Sequence, residues 1–175
     1  MEDYGKNIKC HIISKPSRRN KTIYDYNINM LRSTTEIMSA ALGGSDTIIN
    51  LPYDALYHKN NEFGRRLSRN QLLILKHESK FSEVNNPTEG AYYIEYLTLQ
   101  LAEKALKLFK DIEKQGGFLE LLKSGLIQRT IKEQSQKEQQ IFDAKEQELV
   151  GINVQQNKDD KLKSQLELYP FLKHN

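Results

Sequence analysis

Few residues in this chain are of types and spacings that do chemistry. Of its four histidines, His11 lies in a short apolar run with no second metal ligand at useful spacing, so a packed or hydrogen-bonded side chain is the simpler reading. Cys10 is the single cysteine, which excludes an internal disulfide and a cysteine cage for zinc. Asp54 and Glu78 have no evident partner along the chain, so no general acid–base pair is laid out. A P-loop, a G-x-G-x-x-G run and a nucleophile elbow are all missing. These residues supply no catalytic group, no cofactor ligand and no metal ligand.

More is carried by an ordered series between Arg66 and Gly117. It begins with Arg66-Leu67-Ser68-Arg69-Asn70, Leu73-Ile74-Leu75 and Glu78-Ser79. A turn then leads into a tyrosine pair, Asn86-Pro87-Thr88-Glu89-Gly90-Ala91-Tyr92-Tyr93-Ile94-Glu95, and the series closes on Ile112-Glu113-Lys114-Gln115-Gly116-Gly117-Phe118. Residue by residue, each has a structural role to offer. Arg69 and Asn70 suit bonds to loop carbonyls, Tyr92 and Tyr93 suit core rings with tethered hydroxyls, and Gly90, Gly116 and Gly117 suit a turn and a helix stop.

The elements that must position these residues alternate. Residues 8–14 read as a buried strand closed at Lys15-Pro16. A helix over 26–42 follows, with Ile28, Leu31, Thr35, Met38 and Leu42 on one stripe and Gly43-Gly44 as its stop. Residues 47–51 form a second strand. Asn61 caps a helix to about Glu78, with Phe63, Leu67, Asn70 and Ile74 facing inward. A short third strand is expected at 81–84. Residues 92–96 are expected to be extended or to lie just ahead of a helix that Thr98 caps and that runs to Gln115, with Leu101, Ala105, Leu108 and Ile112 as its apolar stripe. A short helix over 118–124, a nearly all-polar helix over 127–148, a strand-like piece at 149–153 and a charged tail from residue 155 complete the chain. Its domain division is therefore 1–154 and 155–175.

The series from Arg66 to Gly117 resembles the C-terminal part of the catalytic barrel of the methylmalonyl-CoA mutase family, whose text is close to A-R-N-T-Q-x-I-L-x-E-E-S, D-P-x-G-G-S-Y-Y-V-E and I-E-x-x-G-G-M. Strands alternating with helices agree with an α/β fold paired in parallel. The resemblance implies a partial (β/α)8 TIM barrel, about its last three βα units, followed by C-terminal helices. It also implies that Met1 lies inside the family's domain, so that the strand edges and one sheet face would need covering by missing strands.

In such a barrel ligands lie at the C-terminal ends of the strands. There the family carries R-x-H-x-Q-T-S-G, against which this chain sets His11, Ile13, Lys15, Pro16, Ser17 and Arg18. Only Ser17 is retained, and a glycine that admits a large flat cofactor has become Arg18. The family's T-N-x-x-D-E-A loop is shortened to Asn50-Leu51-Pro52-Tyr53-Asp54-Ala55, with Asp54 alone where Asp-Glu would stand. The R-N-T-Q text becomes Arg69-Asn70-Gln71-Leu72, placing apolar Leu72 at the glutamine position. No histidine sits in the family's cobalt-ligating D-x-H-x-x-G setting. The resemblance thus implies a small, non-catalytic subunit with degenerate positions Lys15, Ser17, Arg18, Asp54 and Leu72. Adenosylcobalamin and acyl-CoA would be bound by a large catalytic subunit in a heterodimer that interconverts methylmalonyl-CoA and succinyl-CoA in propionate metabolism.

Composition narrows the rest. With 38% hydrophobic and 28% charged residues in 175, the chain falls in the soluble globular class. A balance of 26 basic and 23 acidic residues argues against nucleic acid as a partner, and Arg18-Arg19-Asn20-Lys21 reads as a solvated loop. Neither a long apolar run nor a targeting segment is present, so no membrane role and a cytoplasmic address are expected. A helical adaptor using the polar 127–148 helix is the alternative from another class, and a truncated catalytic chain of a related acyl-CoA mutase is the third. Arg18 and Leu72 speak against the last.

Overall fold

The computed structural model describes residues 10–160 and 166–168. Residues 8 and 9 of the expected first strand and the apolar tail residues 169–172 lie outside the described residues. The chain divides into two compact units, Met1–Pro87 with Gln155–Asn175, and Thr88–Val154.

The first unit is built on one βαβ passage. β1 (Ile13–Ser14) and β2 (Thr47–Ile48) pair in parallel, with Ile13 opposite Thr47 and Ser14 opposite Ile48, and α1 (Ile28–Leu42) connects them. Side chains fix this register as well as the backbone ladder does. His11 Nε2 lies 3.0 Å from Thr47 Oγ1, the Ser14 and Ser45 hydroxyls are 2.6 Å apart, and the Ile12 N–H donates to the Asp46 carboxylate at 2.9 Å. His11 is therefore hydrogen-bonded, as expected, although it lies two residues ahead of β1. Both strands are shorter than the sequence pattern suggested, since a strand extends only as far as it has a neighbour to bond.

α2 (Glu62–Leu73) starts where Asn61 was expected to cap it. The Asn61 carboxamide oxygen accepts the Gly64 N–H at 2.7 Å, and the helix continues into a single π-helical turn, Ile74–Glu78. Its inward face differs from the expected one. Gly64, Ser68 and Leu75 are buried while Phe63 and Ile74 are more than 40% exposed. α1 shows the same inversion: Asn29, Ser33 and Ile37 are buried, and Leu31 is turned out. Small and polar residues take these faces because loops arrive at close range: Asn29 bonds Thr22 and the Tyr53 carbonyl, Asn50 bonds the Ser68 carbonyl, and the Asp54 loop rests on Gly64, contacts that bulky side chains would hold away.

The expected strand at 81–84 is absent. Phe81 and Glu83 donate their N–H groups back to Leu75 and Lys80, and Lys80 adopts a left-handed φ of 59°, so the backbone is spent in turns. The strand-like piece at 149–153 keeps only one isolated bridge, between Val150 and Val154, and is otherwise a turn. Asn153 bonds the Leu149 N–H and the Gln147 carbonyl through its side chain, and Gly151 has φ 82°.

In the second unit α3 (Tyr92–Lys114), α4 (Gly117–Lys123) and α5 (Leu126–Asp143) follow one another. α3 begins at Tyr92 rather than at Thr98, because Glu95 reaches back to accept the Gly90 N–H at 2.9 Å and closes the first turn. Thr98 lies within the helix, with its hydroxyl donating to the Ile94 carbonyl. Gly116 and Gly125 take φ of 105° and 78° and separate the helices, as their placement in the sequence required. Neither α3 nor α5 buries a residue. Tyr92, at 87% exposure, and Tyr93 are not core rings, and the Leu101 and Leu108 stripe is open.

Candidate functional site

The C-terminal ends of β1 and β2 carry the residues of interest. Beyond β1 the chain turns at Ser17, whose hydroxyl accepts the Arg19 N–H at 3.1 Å. Lys15 and Ser17 line a cleft of about 350 Å³ with Glu36 and Ile37 of α1. Arg18 and Asp54 line a second cleft of about 330 Å³, with His58, Lys59, Asn61 and Leu168 among its walls. Leu72 is half-buried within α2 and borders neither cleft. Arg69 and Asn70 are exposed on the same helix instead of binding loop carbonyls from within.

Asp54 is 2% exposed and faces the protein. Its Oδ2 accepts from Asn61 Nδ2 at 2.7 Å and lies 3.1 Å from His58 Nδ1. Its Oδ1 rests against Gly64, where an added Cβ would come within 2.5 Å. The glycine in the first turn of α2 is thus what lets the Asp54 loop close onto the helix. Asp54 orients the helix cap and the His58 ring, and both of its oxygens are engaged by this chain's own residues.

Around it stands an amide network that the sequence reading missed. Asn50 donates to the Ser68 carbonyl at 3.0 Å and to Gln71 Oε1 at 2.8 Å. Gln71 in turn donates to the Met30 carbonyl at 2.6 Å and to Thr34 Oγ1 at 2.8 Å, tying the segment after β2 to α2 and α1. Asn29 bonds Thr22 and the Tyr53 carbonyl, and Arg32 donates to its Oδ1 at 3.0 Å. The usable signal was the four-residue spacing of Asn29 and Ser33 and of Gly64 and Ser68, which marks a face of small polar residues.

Burial raises the pKa of Tyr57, which is 0% exposed, with Tyr53, Asp54 and Tyr26 adding to the effect; burial likewise raises Tyr53. Burial lowers Arg32 despite the opposing attraction of Asp25 and Glu36. The basic loop splits in character. Arg18 and Arg19 are exposed as expected, but the Lys21 side chain is only 4% exposed and its Nζ lies 2.8 Å from Glu36 Oε2. Asn20 also donates to Glu36. Among the described residues no group of His, Cys, Asp and Glu is placed to hold a metal ion, and no helix is long and apolar enough to cross a membrane.

Comparison with known proteins adds an independent line. The family model described as methylmalonyl-CoA mutase matches residues 3–170. The chain is 39% identical over 145 residues to a methylmalonyl-CoA mutase small subunit from Porphyromonas gingivalis, covering 83% of this chain and 24% of that protein. It is 38% identical over 125 residues to a methylmalonyl-CoA mutase from Rhizobium meliloti, covering 71% and 18%. A methylmalonyl-CoA mutase large subunit from the same P. gingivalis strain is 30% identical over 125 residues, again 71% and 18%. The chain thus spans about a quarter or less of the length of these relatives.

Proposed function

The chain belongs to the methylmalonyl-CoA mutase family, and from that premise we propose that it serves as part of a small, scaffold-type subunit whose partner is a large catalytic subunit. The observation that carries the reading is the inward turn of Asp54. The acidic loop following β2, which the resemblance sets beside a cofactor, spends its carboxylate on His58 and Asn61. Likeness to a small subunit over 83% of this chain supports the same assignment.

The residues present do not fit a corrin ring. Arg18 stands where the family has a glycine, and the cleft it lines, at about 330 Å³, is of small-molecule size. No step of the reaction is therefore routed through this chain. Adenosylcobalamin, the acyl-CoA and the rearrangement between methylmalonyl-CoA and succinyl-CoA belong to the large subunit in this reading, and the pair works in the cytoplasm. The parallel β1/β2 pair with α1 across it is taken as one unit of a larger barrel. Its strand edges and the open α3 stripe are surfaces the remainder of that barrel would cover.

The test is coexpression with a family large subunit that carries D-x-H-x-x-G. The chain should copurify with it, the pair should turn over methylmalonyl-CoA, and this chain alone should neither turn it over nor retain cobalamin absorbance through gel filtration. Retained cobalamin or activity in the isolated chain would overturn the scaffold reading. Arg18→Gly should restore neither, since Asp54 remains committed to α2.

A further inference from the structure

Asp160 and the Glu167–Leu168 pair are bonded back onto the two loops that leave the strands. Asp25 lies between β1 and α1, and its N–H donates to Asp160 Oδ2 at 2.8 Å. Tyr57 and Lys59 lie between β2 and α2. The Tyr57 carbonyl accepts the N–H groups of both Glu167 and Leu168, at 2.9 and 3.0 Å, and the Lys59 N–H donates to Glu167 Oε2 at 2.7 Å. Both side-chain acceptors are carboxylates, which makes these two bonds of the stronger, charge-assisted kind.

The two loops also touch one another. The Tyr57 ring packs edge-on against Tyr26, the neighbour of Asp25 in sequence, with 5.4 Å between centroids. Contacts therefore close a circuit: Asp25 and Tyr26 meet Tyr57, Tyr57 meets Glu167, and seven positions of chain lead from Glu167 back to Asp160 and so to Asp25. Asp25 has φ of 40°, a left-handed conformation that a residue with a Cβ keeps only where its surroundings enforce it. On the other loop, the Tyr57 and His58 N–H groups donate to the Asp54 carbonyl at 3.0 and 2.8 Å. That joins the circuit to the Asp54 carboxylate, which holds Asn61 and rests on Gly64 at the start of α2.

We propose that Asp160 and the Glu167–Leu168 pair form a latch across the loops that follow β1 and β2, and that its release frees the Tyr57–Asn61 loop together with the hold of Asp54 on α2. A latch differs from two separate contacts in that its attachments fail together. While one end is engaged the other rebinds within the same molecule at high effective concentration, and cutting the first end removes that advantage. The loops it ties leave the C-terminal ends of the parallel strands, the side on which open α/β folds take their ligands, so the latch makes that side answer to the tail. The inference goes beyond the subunit reading, because every group it uses lies in this chain.

The test follows amide hydrogen exchange in the full chain, with Asp160→Ala and Glu167→Ala as single variants. Each should speed the amide that its carboxylate bonds, Asp25 or Lys59, about tenfold, the scale of one charge-assisted hydrogen bond, and should speed the other several-fold. The Gly64 amide, which donates to Asn61 at the α2 cap, should also speed several-fold in both variants. The Ile37 amide, inside α1, should not change. Should either alanine variant fail to fold, Asp160→Asn and Glu167→Gln keep an acceptor oxygen, remove the charge and are read by the same joint change. Faster exchange confined to the amide that each carboxylate bonds would reveal two independent contacts and overturn the latch. Unchanged exchange at Asp25 and Lys59 would overturn it too, as would an Ile37 amide that speeds as much as they do, since the loops would then open only with the whole unit.

Discussion

The two units of this chain solve the burial problem in opposite ways. In the first, polar residues share the buried positions: Asn29, Asp54 and Ser68, each hydrogen-bonded, sit with Ile37 and Tyr57, and bonds from Asn50, Asn61 and Gln71 run between elements. In the second, apolar residues are plentiful yet open. α3 leaves Leu101 66% and Leu108 63% exposed, with Tyr96, Leu99 and Phe109 exposed as well. Hydrophobic content therefore does not mark where this chain is self-sufficient. Bonding between elements does, because a buried polar group without its partner costs more than an exposed leucine.

Matched truncations break or sustain this contrast, and they carry the largest expected effect. Ile37→Ala removes a side chain with no exposure and should cost about 2–5 kcal/mol in urea unfolding, the usual range for an aliphatic core residue cut to alanine. Leu108→Ala in the isolated chain should stay within about 0.5 kcal/mol, as surface changes do. Copurification with a large subunit should reverse the order of sensitivity and expose Leu108 as the costlier loss. A Leu108→Ala cost above about 2 kcal/mol in the isolated chain would mean that α3 has a core of its own, against the 2–5 kcal/mol range such cores show.

A smaller effect tests the packing of the Asp54 loop on α2. Gly64→Ala adds helix propensity worth about 1 kcal/mol, but its Cβ would come within 2.5 Å of Asp54 Oδ1. That oxygen has little freedom to retreat, since its carboxylate is held by Asn61 and His58. Overpacking of this kind costs about 1–3 kcal/mol and should outweigh the gain. Asp54→Ala is itself destabilising, yet adding Gly64→Ala to it should then cost little, so the double-mutant cycle reads a coupling between the two. Additive effects would show that the contact is not what limits position 64.

These contrasts also show what could be read from the chain beforehand. The Asn61 cap and the glycine stops were legible because each depends on a few neighbouring residues, and the parallel pairing of β1 and β2 because strands alternating with helices imply it. The inward faces of α1 and α2 were not, since periodicity ranks leucine above asparagine and knows nothing of a loop arriving from Tyr53 or Asn50 to bond the polar side. The strand expected at 81–84 failed for a similar reason: Phe81 and Val84 fit a strand, but the backbone donors had closer acceptors in Leu75 and Lys80. At the site, the resemblance set Lys15, Ser17, Arg18, Asp54 and Leu72 together without distinguishing them; that Arg18 and Asp54 share one cleft, and that Asp54 turns inward, depended on the fold and on Gly64, a residue unremarkable in sequence.

The smallest effect concerns pH and confines itself to the first unit. Burial raises the Tyr57 pKa above its ordinary value near 10, and Tyr53, Asp54 and Tyr26 push the same way. The sign follows from proton counting. Above about pH 10 the unfolded chain releases the Tyr57 proton while the folded chain keeps it, so the unfolded state binds fewer protons and stability falls as pH rises. Below that pH both states hold the proton and the contribution is fully present. Tyr53, also raised by burial, adds a parallel but separate decline. Tyr57→Phe keeps the ring that packs edge-on against Tyr26 at 5.4 Å between centroids, and removes the ionisable group. Stability of this variant should track the parent up to about pH 10 and decline less steeply beyond it, as followed by circular dichroism in urea. An alkaline decline as steep in Tyr57→Phe as in the parent would show that the buried Tyr57 hydroxyl is not its source.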